Sequence, residues 1–261
     1  MAAPKINLYL DVVSPFAYIA YYVTRHSPVF ANCEITYTPV FLGGILKACN
    51  NTSPLFVKNK SKWTNTERLR WSKFLNVPIY PGIPKGFPIL TMNVCQSYYR
   101  KLDKSKWTNT ERLRWSKFLN VPIYPGIPKG FPILTMNIQR ALCAIPAEQL
   151  PACLDALYKE LWVEGNPLLN DPETFMPILE AAVGKEMAAN ALEQSNTQPI
   201  KDQLIANSDK AVEIGAFGIP WFECTNSSGE TECFWGVDRM AQVAAFLGLE
   251  TTAEQGFRAM M

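Results

Sequence analysis

The chain has 261 residues, of which 48% are hydrophobic and 18% are charged, and its formal net charge is +2. This length can form one large domain or two small ones, and the composition is that of an ordinary globular protein. The small net charge excludes a protein that relies on non-specific attraction to nucleic acid or to an anionic membrane surface. No apolar run reaches the roughly 20 residues of a membrane helix, so we expect no membrane insertion.

The N-terminal stretch, the cysteines and the histidine limit the compartment and the chemistry. The start MAAPKINLYLD enters an apolar run after about five residues, which leaves no room for a signal peptide and predicts a soluble, intracellular protein. Cytoplasm, mitochondrion and peroxisome all stay open. The seven cysteines form no C-x-x-C pair and are expected to be reduced. With His26 as the single histidine, no metal site is expected.

The first predicted elements are a strand over residues 6–11, a helix over 15–26 and a strand over 33–39, which form a β-α-β unit. At the turn before the helix, Ser14 is expected to be the N-cap and Pro15 the first helical residue. A helix N-terminus also stabilises anions. Ser14 is therefore a candidate donor to a negatively charged group.

A connector, FLGGILKACNN at 41–51, precedes a block of predicted helices, two strands and a last helix. We expect the helices near residues 62–76, 106–120, 138–145, 148–163, 172–182, 185–194 and 198–213, the strands at 221–224 and 231–235, and the last helix at 238–247. This order predicts an α/β fold in which a thioredoxin-like sheet is split by an inserted all-helical domain. The sheet domain is predicted in two halves, at 1–50 and 206–250. The inserted helical domain is predicted at 51–205 and a tail at 251–261.

One segment of the chain occurs twice. Residues 60–93 recur at 104–137 without a single difference. Solenoid repeats diverge while they keep their pattern, so two identical copies indicate a duplicated segment. The copies compete for one set of contacts, and one of them is expected to be surplus. The intervening stretch begins with Val94-Cys95, which a common intron-donor sequence can encode, so a gene-model error or a retained intron is an open explanation.

Three short motifs carry a resemblance to a known family. SPF at 14–16, GAFGIP at 215–220 and WGVDRM at 235–240 resemble, in order and spacing, the kappa-class glutathione transferases and the related 2-hydroxychromene-2-carboxylate isomerases. The resemblance implies a thioredoxin-like fold of the DsbA or kappa type and covers nearly the whole chain outside 94–137. One departure is Val237, which stands where that family usually has a small hydroxyl residue.

The resemblance also implies a site that holds glutathione as cosubstrate. The hydroxyl of Ser14 would donate a hydrogen bond to the glutathione sulfur, and the backbone of Ile219, before a cis Pro220, would pair with the cysteinyl part. The resemblance further implies that Asp238, with Arg239, binds the glutamyl ammonium. It implies that Asn51 and Lys60 bind the glycyl carboxylate. Lys60 is preferred to its twin, Lys104, because its spacing from Asn51 is intact.

The resulting prediction is a kappa-like glutathione transferase that conjugates glutathione to small hydrophobic electrophiles and forms a homodimer. An isomerase of the chromene-carboxylate type, which uses the same thiolate reversibly, is the alternative. A DsbA-like oxidoreductase needs a cysteine pair at the helix start, where residues 14–17 read Ser-Pro-Phe-Ala. An inactive or misassembled product of the duplication also stays open.

Overall fold

A four-stranded mixed sheet forms the centre of the fold. The computed structural model describes residues 2–50, 66, 104–126, 128, 133–165 and 172–251. The strands lie in the order β2-β1-β3-β4. β1 runs parallel to β2, whereas β1 with β3 and β3 with β4 are antiparallel. The bounds of β1 to β4 are Lys5–Leu10, Glu34–Pro39, Trp221–Thr225 and Thr231–Trp235.

Helix α1, Pro15–His26, connects the two parallel strands. Parallel neighbours need such a crossover because a tight turn cannot join them. The helix packs on the face of the sheet that carries Leu8 and Tyr37, which are register partners. The rings of Tyr21 and Tyr37 lie 4.8 Å apart. The predicted β-α-β unit is confirmed within one or two residues at each boundary.

Most other helices lie between β2 and β3 in the chain. The described helices are α2 Leu42–Ala48, α3 Lys104–Phe118, α4 Met136–Cys143, α5 Leu150–Tyr158 with a π-helical continuation Lys159–Glu164, α6 Pro172–Val183, α7 Lys185–Ser195, α8 Gln198–Glu213 and, after β4, α9 Met240–Phe246. The helices predicted from 106–120 to 198–213 agree with these bounds. The predicted helix 62–76 lies outside the described residues, apart from Thr66, which is helical.

Helix α2 is an element that the sequence interpretation missed, because residues 41–51 were expected to be a connector. Gly43 and Gly44 lower the helix propensity of this stretch. Two tertiary contacts compensate: the side chain of Ile45 is fully buried, and the N–H of Leu42 donates to the carboxylate of Asp11 at 2.9 Å. The helix therefore depends on its surroundings rather than on its own sequence.

The hydrophobic core is continuous from the sheet into the helices. Leu8 and Phe222 of the sheet belong to the same buried cluster as Leu154 and Trp162. The indole N–H of Trp162 also donates to the carbonyl of Val12 at 2.9 Å. The predicted division into a sheet domain, an inserted domain and a tail stays a prediction. In the described part of the chain, no helix combines the length and the apolar character that crossing a membrane requires.

The second copy of the duplicated segment is docked on this core. The hydroxyl of Tyr18 in α1 donates to the carbonyl of Pro122 at 2.6 Å. Within the copy, the buried guanidinium of Arg112 donates to the carbonyl of Tyr124 at 2.8 Å and lies over the ring of Trp162. The first copy lies outside the described residues, apart from Thr66. The expectation that one copy is surplus stays a prediction.

Candidate active site

Ser14 caps helix α1 and faces a cavity. Its Oγ accepts a hydrogen bond from the N–H of Ala17 at 3.1 Å, and the residue is 5% exposed. The cap uses the hydroxyl as an acceptor, so the hydroxyl proton remains to be donated; among the described residues, none accepts it. The structural role of Ser14 as a helix cap and its predicted role as a hydrogen-bond donor are therefore compatible.

The loop before β3 supplies another part of the lining of this cavity. The Ile219–Pro220 peptide bond is cis, as the motif predicted. The carbonyl of Pro220 accepts from the N–H of Gly236 at 3.0 Å, which connects this loop to the turn after β4. Ile219 and Ser14 line the same cavity. The structure thus brings together two of the predicted site residues from opposite ends of the chain.

We call this space the site cavity; its volume is about 400 Å³. Its described walls are mainly apolar, and the described residues that line it include one carboxylate, that of Asp11, and two hydroxyls, those of Ser14 and Thr135. The apolar wall includes Phe16, Leu42, Leu46, Ile133, Phe217 and Trp235. A cavity of this size and character suits a small, largely apolar molecule next to a few oriented polar groups.

Asp238 and Arg239 lie in the 3-10 turn Val237–Arg239 that precedes α9. Their side chains form an ion pair, in which that of Arg239 is 20% exposed and that of Asp238 is 41% exposed. The turn contacts α1 and follows Trp235, which lines the site cavity. The two residues stand near the cavity without lining it.

The other two predicted ligands of glutathione, Asn51 and Lys60, lie outside the described residues, and their roles stay predictions. Lys104, the twin of Lys60, is the first residue of α3.

Asp11 is a site residue that the sequence interpretation did not single out. Its carboxylate is 0% exposed and accepts hydrogen bonds from the N–H of Val13 at 3.1 Å, from the N–H of Leu42 at 2.9 Å and from the hydroxyl of Thr135 at 2.6 Å. Burial raises the pKa of the Asp11 carboxyl, and these hydrogen bonds oppose the rise. The only local signal was an Asp at the end of a strand, which ordinarily indicates a turn.

The described residues that line the site cavity include no cysteine. Elsewhere in the described part of the chain, burial raises the pKa of the Cys33 and Cys153 thiols to about 11 and that of the Cys143 thiol to about 12. These thiols are protonated at neutral pH and are poor nucleophiles. None of these three cysteines lines the site cavity.

Comparisons with known proteins show the family and the fold of the chain. Residues 83–248 match the family described as DSBA-like thioredoxin domain. The chain is 25% identical over 248 residues to glutathione S-transferase kappa 1 of Caenorhabditis elegans, covering 94% of this chain and 91% of that protein. It is 24% identical over 247 residues to glutathione S-transferase kappa 1 of Homo sapiens, covering 93% and 90%.

Two solved structures have a similar fold at 16% sequence identity. A 2-hydroxychromene-2-carboxylate isomerase superposes with a TM-score of 0.61, covering 94% of both chains. A probable DsbA oxidoreductase from Streptomyces coelicolor superposes with a TM-score of 0.57, covering 94% of this chain and 88% of that one. These likenesses confirm the predicted α/β, thioredoxin-like fold.

Proposed function

Because the chain belongs to the family of DsbA-like thioredoxin domains, we propose that it is a kappa-like glutathione transferase that adds the thiolate of glutathione to small electrophiles. The near full-length matches to two kappa-class enzymes support the class of enzyme. The observation that carries the proposal is the hydroxyl of Ser14, which faces the site cavity at the N-terminus of α1 with its proton available for donation. The described part of the cavity lining contains no cysteine, which agrees with a sulfur that arrives with the cosubstrate.

The hydroxyl and the helix are sufficient to activate that sulfur. A thiol with a pKa of ~8.5 is only about 3% ionised at pH 7. Lowering this pKa by about two units requires roughly 2.7 kcal/mol. A charge-assisted hydrogen bond from Ser14 supplies about 1.5 to 3 kcal/mol, and the helix N-terminus supplies about 0.5 to 1 kcal/mol. No general base is needed to generate the thiolate.

The remainder of glutathione is held by groups around the cavity. The backbone N–H and C=O of Ile219 pair with the cysteinyl part as a neighbouring strand would. Asp238 binds the glutamyl ammonium, and its ion pair with Arg239 orients its carboxylate. Asn51 and Lys60 bind the glycyl carboxylate, because an amide donor and a cation are the groups that an anion requires.

The second substrate occupies the apolar part of the cavity. Phe16, Leu46, Phe217 and Trp235 contribute aromatic and aliphatic surface there, which favours a small hydrophobic electrophile over a charged one. The thiolate attacks the electrophilic carbon, a carbon–sulfur bond forms, and the leaving group departs with the electron pair of its bond.

Purified protein incubated with glutathione and a chromogenic aryl halide tests the proposal. We expect conjugate formation that depends on both substrates, and bound glutathione whose thiol titrates below its value in free solution. A parallel incubation with a chromene carboxylate separates the two reactions, since reversible addition of the thiolate would isomerise that compound. No turnover of either compound and no depression of the bound-thiol pKa would contradict the proposal.

A further inference from the structure

We propose that Asp11 is a positioning residue: its buried carboxylate holds together the three chain segments that form the polar end of the site cavity and thereby fixes the direction of the Ser14 hydroxyl. The proposal rests on the role of Ser14 in the proposed function. Asp11 acts through Ser14 and is not assigned a contact with the reacting atoms.

The three donors to Asp11 come from separate parts of the chain. Val13 precedes Ser14 in the turn before α1, Leu42 is the first residue of α2, and Thr135 immediately precedes α4. All three segments line the site cavity. A local Asx turn accounts for the bond to Val13, but it accounts for neither of the bonds to the two distant segments.

The backbone carries this restraint directly to Ser14. The N–H of Ser14 donates to the carbonyl of Asp11 at 3.0 Å, and the N–H of Tyr18 donates to the carbonyl of Ser14 at 3.0 Å. Asp11 thus holds the turn at its side chain and at its main chain. A movement of α2 or α4 relative to this turn would break a hydrogen bond to a group that is shielded from water, which opposes the movement.

The carboxylate is the form that suits these partners, because both of its oxygens act as acceptors. Oδ1 accepts from Val13 and Thr135, and Oδ2 accepts from Leu42. Among the described residues, no cation forms a salt bridge with Asp11, and the neighbouring polar groups are the phenol of Tyr158 and the amide of Gln139. The carboxylate is therefore held by hydrogen bonds alone.

Asp11→Asn is a sharp test because it replaces one carboxylate oxygen with an NH₂ group, which removes the negative charge and changes almost no volume. Whichever way the amide turns, its NH₂ group faces a backbone N–H, that of Val13 or that of Leu42, so at least one bond is lost. We expect glutathione to bind within about threefold of wild type, because its holders are elsewhere. We expect kcat to fall about tenfold and the bound-thiol pKa to rise by about one unit, since a misdirected donor loses most of its effect.

If Asp11→Asn fails to fold, two variants of Thr135 test the same contact through smaller changes in kcat and in the bound-thiol pKa. Thr135→Val removes one donor and keeps the shape, and we expect a smaller fall in kcat with the same direction of change in the bound-thiol pKa. Thr135→Ser keeps the hydroxyl and is expected to recover most of that loss. Arg140→Gln is the matched control, because Arg140 lies in α4, the helix that follows Thr135, but is not among the described residues that line the site cavity.

The outcomes separate this proposal from the proposed function. Unchanged bound-thiol pKa values and pH profiles in Asp11→Asn and Thr135→Val, beside lower melting temperatures, would overturn the positioning role and leave a purely structural one. A bound-thiol pKa that also stays unchanged in Ser14→Ala would overturn the function of Ser14 itself. A rise in Ser14→Ala together with smaller rises in the other two supports both.

Discussion

Helix α2 separates two cavities whose polar groups differ in how they are held. The site cavity lies on one side, and on the other lies a second cavity of about 210 Å³ between α2, α4 and α8, which includes Arg140, Lys201 and Asp209 in its lining. Phe41 lines both. The second cavity carries more charged groups, yet the buried Nε of Arg140 has no hydrogen-bond partner among the described residues. Asp11, in contrast, has three partners.

This difference supports our proposal that the reaction takes place in the site cavity. A group contributes to catalysis when its geometry is set before the substrate arrives, because orientation after binding costs free energy. Ser14 is set by its bond to Ala17 and by the turn that Asp11 holds. A buried polar atom without a described partner, such as the Nε of Arg140, has no such restraint. The number of charged residues around a cavity is therefore a weaker indication of function than the number of held polar atoms.

We expect the largest effect when the hydroxyl of Ser14, the proposed hydrogen-bond donor to the sulfur, is removed. Ser14→Ala should lower kcat/KM for conjugation by about 100-fold, the usual consequence of removing one donor to a developing anion. The bound-thiol pKa should rise by one unit or more, and the loss of the helix cap should lower the free energy of unfolding by about 1 kcal/mol. Titration of bound glutathione and steady-state kinetics measure the two effects on the site.

A second Ser-Pro pair, Ser27-Pro28, offers a close control for this substitution. Ser27 caps the short 3-10 helix Pro28–Phe30 and accepts from the N–H of Val29 at 3.2 Å. Ser27→Ala should lose a similar cap without changing the bound-thiol pKa. If both variants shift the bound-thiol pKa equally, the effect comes from helix stability and Ser14 is only a cap.

The next effect concerns the cation that we assign to the site cavity, and it requires a chain with one copy of the duplicated segment. Deleting 60–103 or deleting 94–137 yields the same sequence, because the copies are identical. In that chain one lysine takes the place of both Lys60 and Lys104. Replacing it with Ala should weaken glutathione binding by roughly 1.5 to 3 kcal/mol if it meets the glycyl carboxylate directly. Calorimetry measures this change.

The full-length chain then shows which copy supplies the lysine. Lys60→Ala and Lys104→Ala, made separately, should differ in glutathione affinity, with the weaker binder identifying the copy that reaches the site. Normal binding by both single variants, beside weak binding by the shortened variant, would mean that the copies exchange. Normal binding by all three would remove the lysine from the site.

The shortened chain also provides a stability prediction. We expect the two identical copies to compete for the contacts that Tyr18 and Asp11 make with the second copy. Such conflict weakens the preference for one native arrangement. The deletion retains a full copy and shortens the connection, which should raise the free energy of unfolding by about 1 to 2 kcal/mol. Denaturant unfolding measures the change. An earlier transition in the shortened chain would show that both copies have structural roles.

The parts of the site that could be predicted from sequence are those with a local signal. Ser14-Pro15 indicates a helix start and Ile219-Pro220 stands in a motif with a cis proline, and the structure agrees with both. Asp11 and Thr135 were missed because their contact joins residues 124 positions apart, and no periodicity or turn signal encodes such a pair. Helix α2 was missed for the same reason, since its glycines argue against a helix that Asp11 helps to begin.

We expect the smallest effect from a substitution in the second cavity. This substitution should raise the free energy of unfolding, whereas substitutions in the site cavity should lower it. Arg140→Met replaces a side chain whose buried Nε lacks a described partner with an apolar chain of similar length. Relieving an unsatisfied buried polar group should raise the free energy of unfolding by about 0.5 to 1 kcal/mol, with kcat and glutathione affinity unchanged. Asp11→Asn should instead lower it by about 1 to 3 kcal/mol, because it breaks bonds that are satisfied. Denaturant unfolding of both variants under one set of conditions gives the comparison. If Arg140→Met destabilises the chain or weakens glutathione binding, the Arg140 guanidinium is held after all, and the contrast between the two cavities does not explain which of them is the site.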